Sequence, residues 1–191
     1  MADPTSRSAA RLATLVALPI ALVAGLLSLW KFGAFDGPAA PGPTPTVPAT
    51  GPVSLPAPSL GAEPAAVCRA VIDHLPPDVN GAARRPVIAG ANQNAAYGEP
   101  PITLACGAVQ PSVAPLDSVY PLSGVCFAPV SGPSGTVWTT VDRQVPVAIT
   151  VPGPAAGSAQ SVIPFAVAID AGDPPKSAVP AGCTNYATPT R

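Results

Sequence analysis

A chain of 191 residues with 29 Pro, 17 Gly and only 10% charged side chains is punctuated too often for a bundle of long soluble helices. Its formal net charge is −1 and Lys and Arg form no run, which excludes the basic face that a nucleic-acid partner would require.

Residues 12–30, LATLVALPIALVAGLLSLW, are 19 positions without a formal charge. As a helix they would span about 28 Å, close to the thickness of a bilayer's hydrocarbon core. Arg7 and Arg11 precede this run, and Trp30 and Lys31 follow it as an interfacial ring and a snorkelling ammonium. The expectation is a signal-anchor. Residues 1–11 would be cytoplasmic, 12–30 a transmembrane helix, and everything beyond extracytoplasmic at the cell membrane. A cleaved signal peptide is the competing reading, although the Trp30-Lys31-Phe32 flank lacks a small-x-small cleavage pattern.

Residues 31–60 read as a disordered linker. Between 37 and 60 there are eight Pro among 24 residues and no charge. Pro biases such a tract toward an extended conformation, and at about 3.1 Å per residue it would reach roughly 70 Å. A spacer is expected here rather than a ligand for a Pro-binding module.

Residues 61–185 are expected to fold as one small domain, with 186–191 as a flexible tail. Glu63 and Pro64 suit a first helical turn, and Cys68, Val71, Ile72 and Leu75 recur at three- and four-residue spacing before Pro76-Pro77. Strand signals follow: Ile102 with Leu104, Val125 with Phe127 ending at Pro129, and Val137, Thr139 and Val141 alternating with Trp138 and Thr140. Val145, Val147, Ile149 and Val151 alternate after an Asp142-Arg143 bend, and Phe165, Val167 and Ile169 suggest a last strand. Pro146 and Pro164 would fall on unpaired strand ends or edges. Strands without crossover helices imply an α+β fold, a short helix packed on a mostly antiparallel sheet. An all-β fold is the alternative.

Cys68, Cys106, Cys126 and Cys183 all fall in this domain, and an even count favours two disulfides. Three pairings are possible. Cys68 on the helix face and Cys106 at a strand end favour Cys68–Cys106, leaving Cys126–Cys183 for the C-terminal tail. The spacings of 38, 20 and 57 contain no Cys-x-x-Cys, and one His offers no ligand pair, so neither a metal nor any other cofactor is expected.

Candidate chemistry is sparse. His74 stands beside Asp73 near a helix end, with no nucleophile in a defined relation to it. Asp73, Asp78, Glu99 and Asp117 are the candidates for paired carboxylates. Arg84-Arg85 is the sharpest charge pair, suited to a phosphate or carboxylate. Tyr97, in the turn Ala95-Ala96-Tyr97-Gly98-Glu99-Pro100, offers a ring for stacking. Arg84, Arg85, Tyr97 and Glu99 therefore form the candidate ligand-binding set; no catalytic residue is assigned.

Arg84-Arg85, Ala95 to Pro100, Ile102 to Gly107, and Thr139 to Arg143 with Val147 to Pro152 resemble, over about residues 61–185, an actinobacterial family of anchored or secreted proteins, domain of unknown function number 3515. In that family Trp and Asp commonly occupy the places of Tyr97 and Glu99, and the third and fourth Cys are less uniform. The resemblance implies an envelope protein and brings no activity. Together these readings suggest a membrane-anchored, non-catalytic binding or accessory module for an envelope protein or cell-wall component. The alternatives are a carboxylate hydrolase of envelope material and a purely structural subunit of a membrane complex.

Overall fold

A computed structural model describes residue 23 and residues 51–183. The chain divides into two compact units, 1–46 and 47–191, and the helices and strands below all belong to the second.

The second unit has an α+β fold. Helix α1 (Ala62–His74) comes first, followed by strands β1 (Asp78–Val79), β2 (Ala82–Arg85), β3 (Asn94–Tyr97), β4 (Ile102–Cys106), β5 (Tyr120–Leu122), β6 (Val125–Gly132), β7 (Gly135–Thr140) and β8 (Val147–Val151). Helix α2 (Ser158–Gly172) and a 3-10 turn (Ala181–Cys183) complete it. The strands form one antiparallel sheet in the order β1-β2-β3-β4-β8-β7-β6-β5. Asn80-Gly81 closes the β1–β2 hairpin with φ of 54° and 79°, the left-handed pair that a two-residue hairpin turn demands.

Pairing register sorts the side chains. Tyr97, Leu104, Cys106, Phe127, Trp138, Val147, Ile149 and Val151 share the face that packs on Cys68, Val71 and Ile72 of α1 and on Val162, Phe165, Ala166 and Ile169 of α2. On the other face Cys126, Val141 and Cys183 gather with Val113, Val119, Ala128 and Val179 into a smaller core. The two disulfides therefore staple opposite faces: Cys68–Cys106, with Cα atoms 5.6 Å apart, ties α1 to β4, and Cys126–Cys183, 5.9 Å apart, ties the C-terminal turn to β6. This is the pairing that the position of Cys68 favoured.

Several expectations are corrected. The run Phe165–Ile169 lies in α2, not in a strand. Phe165, Val167 and Ile169 do alternate, but Val162, Phe165, Ala166 and Ile169 are the buried positions and Val167 is exposed. A short apolar run fits both periods, and the helical one wins here. Pro164 sits inside this helix, where it removes one i to i−4 bond. Pro129 does not end β6 but pairs with Trp138; β5 pairs β6 only as far as Phe127, so Pro129 lies on a free edge where a missing donor costs nothing.

The membrane anchor is also corrected. Among the described residues no helix is long and apolar enough to cross a membrane. Helices α1 and α2 have 13 and 15 residues, about 20 and 23 Å long, short of a hydrocarbon core of about 30 Å. Of residues 12–30 only Val23 is described, and the remainder of that expectation lies outside the described residues. The single-pass topology, the signal-anchor, the cell-membrane location and the membrane partnership are withdrawn, and the envelope-module function that rested on them goes too.

Candidate functional site

The sequence-predicted set lies at the β2–β3 rim. Arg84 pairs in register with Tyr97 and Arg85 with Ala96, so the adjacent arginines point to opposite faces of the sheet. They have different fates. Arg84 is exposed, and among the described residues no hydrogen bond or ion pair engages its guanidinium. Arg85, with a side chain only 10% exposed, uses its whole guanidinium: Nη1 donates to Gly98 O at 2.8 Å and to Glu99 Oε2 at 2.5 Å, while Nε and Nη2 donate to Gly51 O at 3.1 and 2.8 Å.

Tyr97 is fully buried, its ring 5.4 Å edge-to-face from Phe165 and its hydroxyl donating to Pro76 O at 2.8 Å. Burial pushes its phenol up; Arg84 opposes and Asp78 adds to that rise. The ring is a core element and offers no open stacking face. The four residues thus share one rim but not one face: Arg84 lies in register with buried Tyr97, Arg85 with its partner Glu99 reaches the other side, and Arg84 and Glu99 are exposed.

The Arg85 contact to Gly51 leads to a feature that differs from the linker expected at these residues. Residues 51–60, the end of the expected linker, run along the domain as an extended strap. Val53 bridges Val87 in parallel, its N–H donating to Pro86 O at 2.8 Å and its carbonyl accepting from Ile88 N at 3.0 Å. Asn94 Nδ2 donates to Pro56 O at 2.9 Å and to Ala89 O at 3.2 Å, and Gln93 Nε2 donates to Pro58 O at 3.1 Å. Leu60 packs against the main core. Glycine makes the fit possible: a Cβ on Gly90 would meet Ala57 at 2.7 Å, and one on Gly107 would meet Leu60 at 2.5 Å. A sequence signal existed. Residues 51–60 contain Val53, Leu55 and Leu60, whereas 37–50 contain only Val47 among large apolar residues.

The candidate carboxylates are not brought together as a pair. Asp78 Oδ1 accepts from Gly81 N, Asp117 Oδ2 accepts from Ala114 N, Glu99 pairs with Arg85, and Asp73 is exposed on α1. His74 Nδ1 donates to Ala70 O at 2.7 Å, a contact within its own helix. Among the described residues no group of three or more His, Cys, Asp and Glu is placed to hold a metal ion. A cavity of about 170 Å³ lies between Val113, Val119 and Pro180, with Asp117 its only titratable lining residue.

A buried polar group involves a residue pair that reads in the sequence as a simple bend. Arg143 is 2% exposed and reaches Asp170 Oδ1 at 3.0 Å, Asp173 O at 3.1 Å, Gly124 O, and Asp142 Oδ1 at 3.5 Å. Burial raises the Asp142 carboxyl against the pull of Arg143, and pushes Asp173 up to about 6.

Comparison with curated proteins and with solved structures gives no significant match. The family described as Protein of unknown function (DUF3515) matches residues 16–177, beginning well before the resemblance read at about 61. The chain belongs to that family.

Proposed function

We propose that the β2–β3 rim is a recognition surface for an extended, proline-bearing polypeptide segment, with residues 51–60 as the segment it holds at rest. One observation carries this reading. Arg85, Ile88, Gln93 and Asn94 aim donors at the main-chain carbonyls of Gly51, Val53, Pro58 and Pro56. Pro has no N–H, so a segment containing it is read through carbonyls, and its restricted backbone is already extended before it binds. Arg85 and Glu99 fix the rim and Tyr97 supports it from the core, while Arg84 points to the opposite face of the sheet and takes no part in holding the segment.

Anisotropy with a labelled peptide GPVSLPAPSL tests this in the full chain. Val53→Pro removes the strap's donor to Pro86 O and loosens the resident segment. The Val53→Pro chain is expected to bind the peptide saturably, and adding Asn94→Ala should weaken it at least about tenfold, the equivalent of 1.4 kcal/mol. Absence of binding to Val53→Pro, or indifference to Asn94→Ala, rejects the reading.

A further inference from the structure

We infer that the cluster of Asp142, Arg143, Asp170 and Asp173 is a proton-operated latch, which holds the segment from Asp173 to Cys183 against the β7–β8 loop more tightly in acid than at neutral pH. The strap lies elsewhere on the domain, and the inference is independent of its role.

The segment after α2 is fastened by backbone pairing to the loop that carries Arg143. Gln144 N donates to Pro174 O at 3.0 Å and Lys176 N to Asp142 O at 2.7 Å, around an antiparallel bridge between Arg143 and Pro175. Asp173 stands at the centre. Its N–H closes α2 on Ile169 O at 2.8 Å, its carbonyl accepts from Arg143 Nη1, and its Oδ1 accepts from Val145 N at 3.3 Å. The covalent tie of this segment to the sheet comes later, at Cys183, through the bridge to Cys126.

The charges facing Asp173 do not balance. Arg143 and Asp142 face it from the β7–β8 loop, and the same guanidinium also pairs with Asp170 of α2, so one cation serves three carboxyl groups. The ammonium of Lys176 is turned to Gln110 Oε1 and does not join them. Asp173 is 1% exposed, and its Oδ2 has no hydrogen-bond partner. An ionised carboxyl there buries an unanswered anionic oxygen among like charges, whereas a proton from solvent neutralises it.

The closed and open states hold this proton differently. In the closed latch the Asp173 carboxyl titrates at about 6; in an opened, solvated segment it returns to its ordinary 3.8. The raised group favours closure fully below 3.8, and that contribution is lost as pH rises through about 6. The whole interval corresponds to roughly a hundredfold increase in the opening constant.

Native-state hydrogen exchange of the full chain tests the latch. The protection of the Gln144, Val145 and Lys176 amides, each divided by that of the β4 and β8 amides, is followed from pH 4 to 7.5. The ratio should fall about fiftyfold in the native chain, most of the full interval, and by far less in Asp173→Asn, where only the raised Asp142 carboxyl remains. A constant ratio in the native chain, or an unchanged fall in Asp173→Asn, overturns the inference. The carboxyl ¹³C shift of Asp173 in the native chain requires no variant: a midpoint near 6 supports the latch, and one back at the ordinary 3.8 overturns it.

Discussion

The Asn94 carboxamide donates to the Pro56 carbonyl at 2.9 Å across 38 positions of sequence, and its second donor contact goes to Ala89 O. One side chain, 1% exposed, thus ties the strap to the turn before β3. Asn94→Ala leaves two carbonyls without their donor and should cost about 1–3 kcal/mol. Asn94→Asp should cost more, since it turns an anionic acceptor toward carbonyl oxygens. Urea midpoints measure both. Limited proteolysis locates the effect: cleavage should accelerate within residues 51–60 first, and equal acceleration elsewhere would make Asn94 a general core residue instead.

Gly172, at the end of α2, touches the α1 backbone. A Cβ there would lie 2.6 Å from Val71 N and 2.8 Å from Val71 Cα. Backbone atoms cannot swing aside as a side-chain tip can, so Gly172→Ala must separate the helices. We expect a loss of about 1–3 kcal/mol, the cost of overpacking a close contact. Gly51→Ala, where a Cβ meets nothing within 4 Å, should stay within about 0.5 kcal/mol of the native chain. Thermal unfolding of the two variants side by side checks the difference.

Sequence patterns disclosed the sheet wherever one face alternates cleanly. Val147, Ile149 and Val151 are buried while Ala148 and Thr150 are less so, because every second residue of β8 meets the helices. The same logic failed at Phe165, Val167 and Ile169, where three apolar residues fit a strand and a helix equally. The Arg84-Arg85 pair was visible as charge, but its division into an open and a locked guanidinium depends on strand parity and on Gly51, 34 positions away. Asn94 and Gln93 carried no signal, because polar residues where a turn meets a strand usually face water. Asp142-Arg143 was legible as an ion pair, whereas its burial depends on Asp170 and Asp173 arriving from α2.

The disulfides should fail differently. They close loops of 38 and 57 residues, and restriction of the unfolded chain gives each about 4 kcal/mol. Cys68 and Cys106 lie at 0% and 1% exposure within the main core, so replacing both with Ala also opens a void between α1 and β4. Against a domain stability of about 5–15 kcal/mol, that pair should leave little cooperative folding. Cys126→Ala with Cys183→Ala should instead release the C-terminal turn while β4 and β8 amides keep most of their exchange protection. Equal loss of protection across the sheet in both double variants would contradict this division.

Arg143 separates charge from shape in the buried cluster. Arg143→Met keeps an unbranched side chain but leaves Asp142, Asp170 and Asp173 without their cation, and Gly124 O and Asp173 O without a donor. At neutral pH the loss should be about 3–5 kcal/mol, as for breaking one side of a buried pair. Arg143→Lys should recover part of it, because a single ammonium cannot reach all the acceptors that a guanidinium fork spans. The pH dependence decides the cause. Arg143 pulls the Asp142 and Asp173 carboxyls down, so removing it raises both further, and the destabilisation grows as pH rises through those higher values. In acid the carboxyls are protonated and most of the electrostatic penalty disappears. Urea midpoints should therefore show a larger Arg143→Met penalty near neutral pH than in mild acid, below the Asp173 midpoint of about 6. A penalty equal under both conditions would mean that Arg143 acts through its contacts to Gly124 O and Asp173 O rather than through its charge.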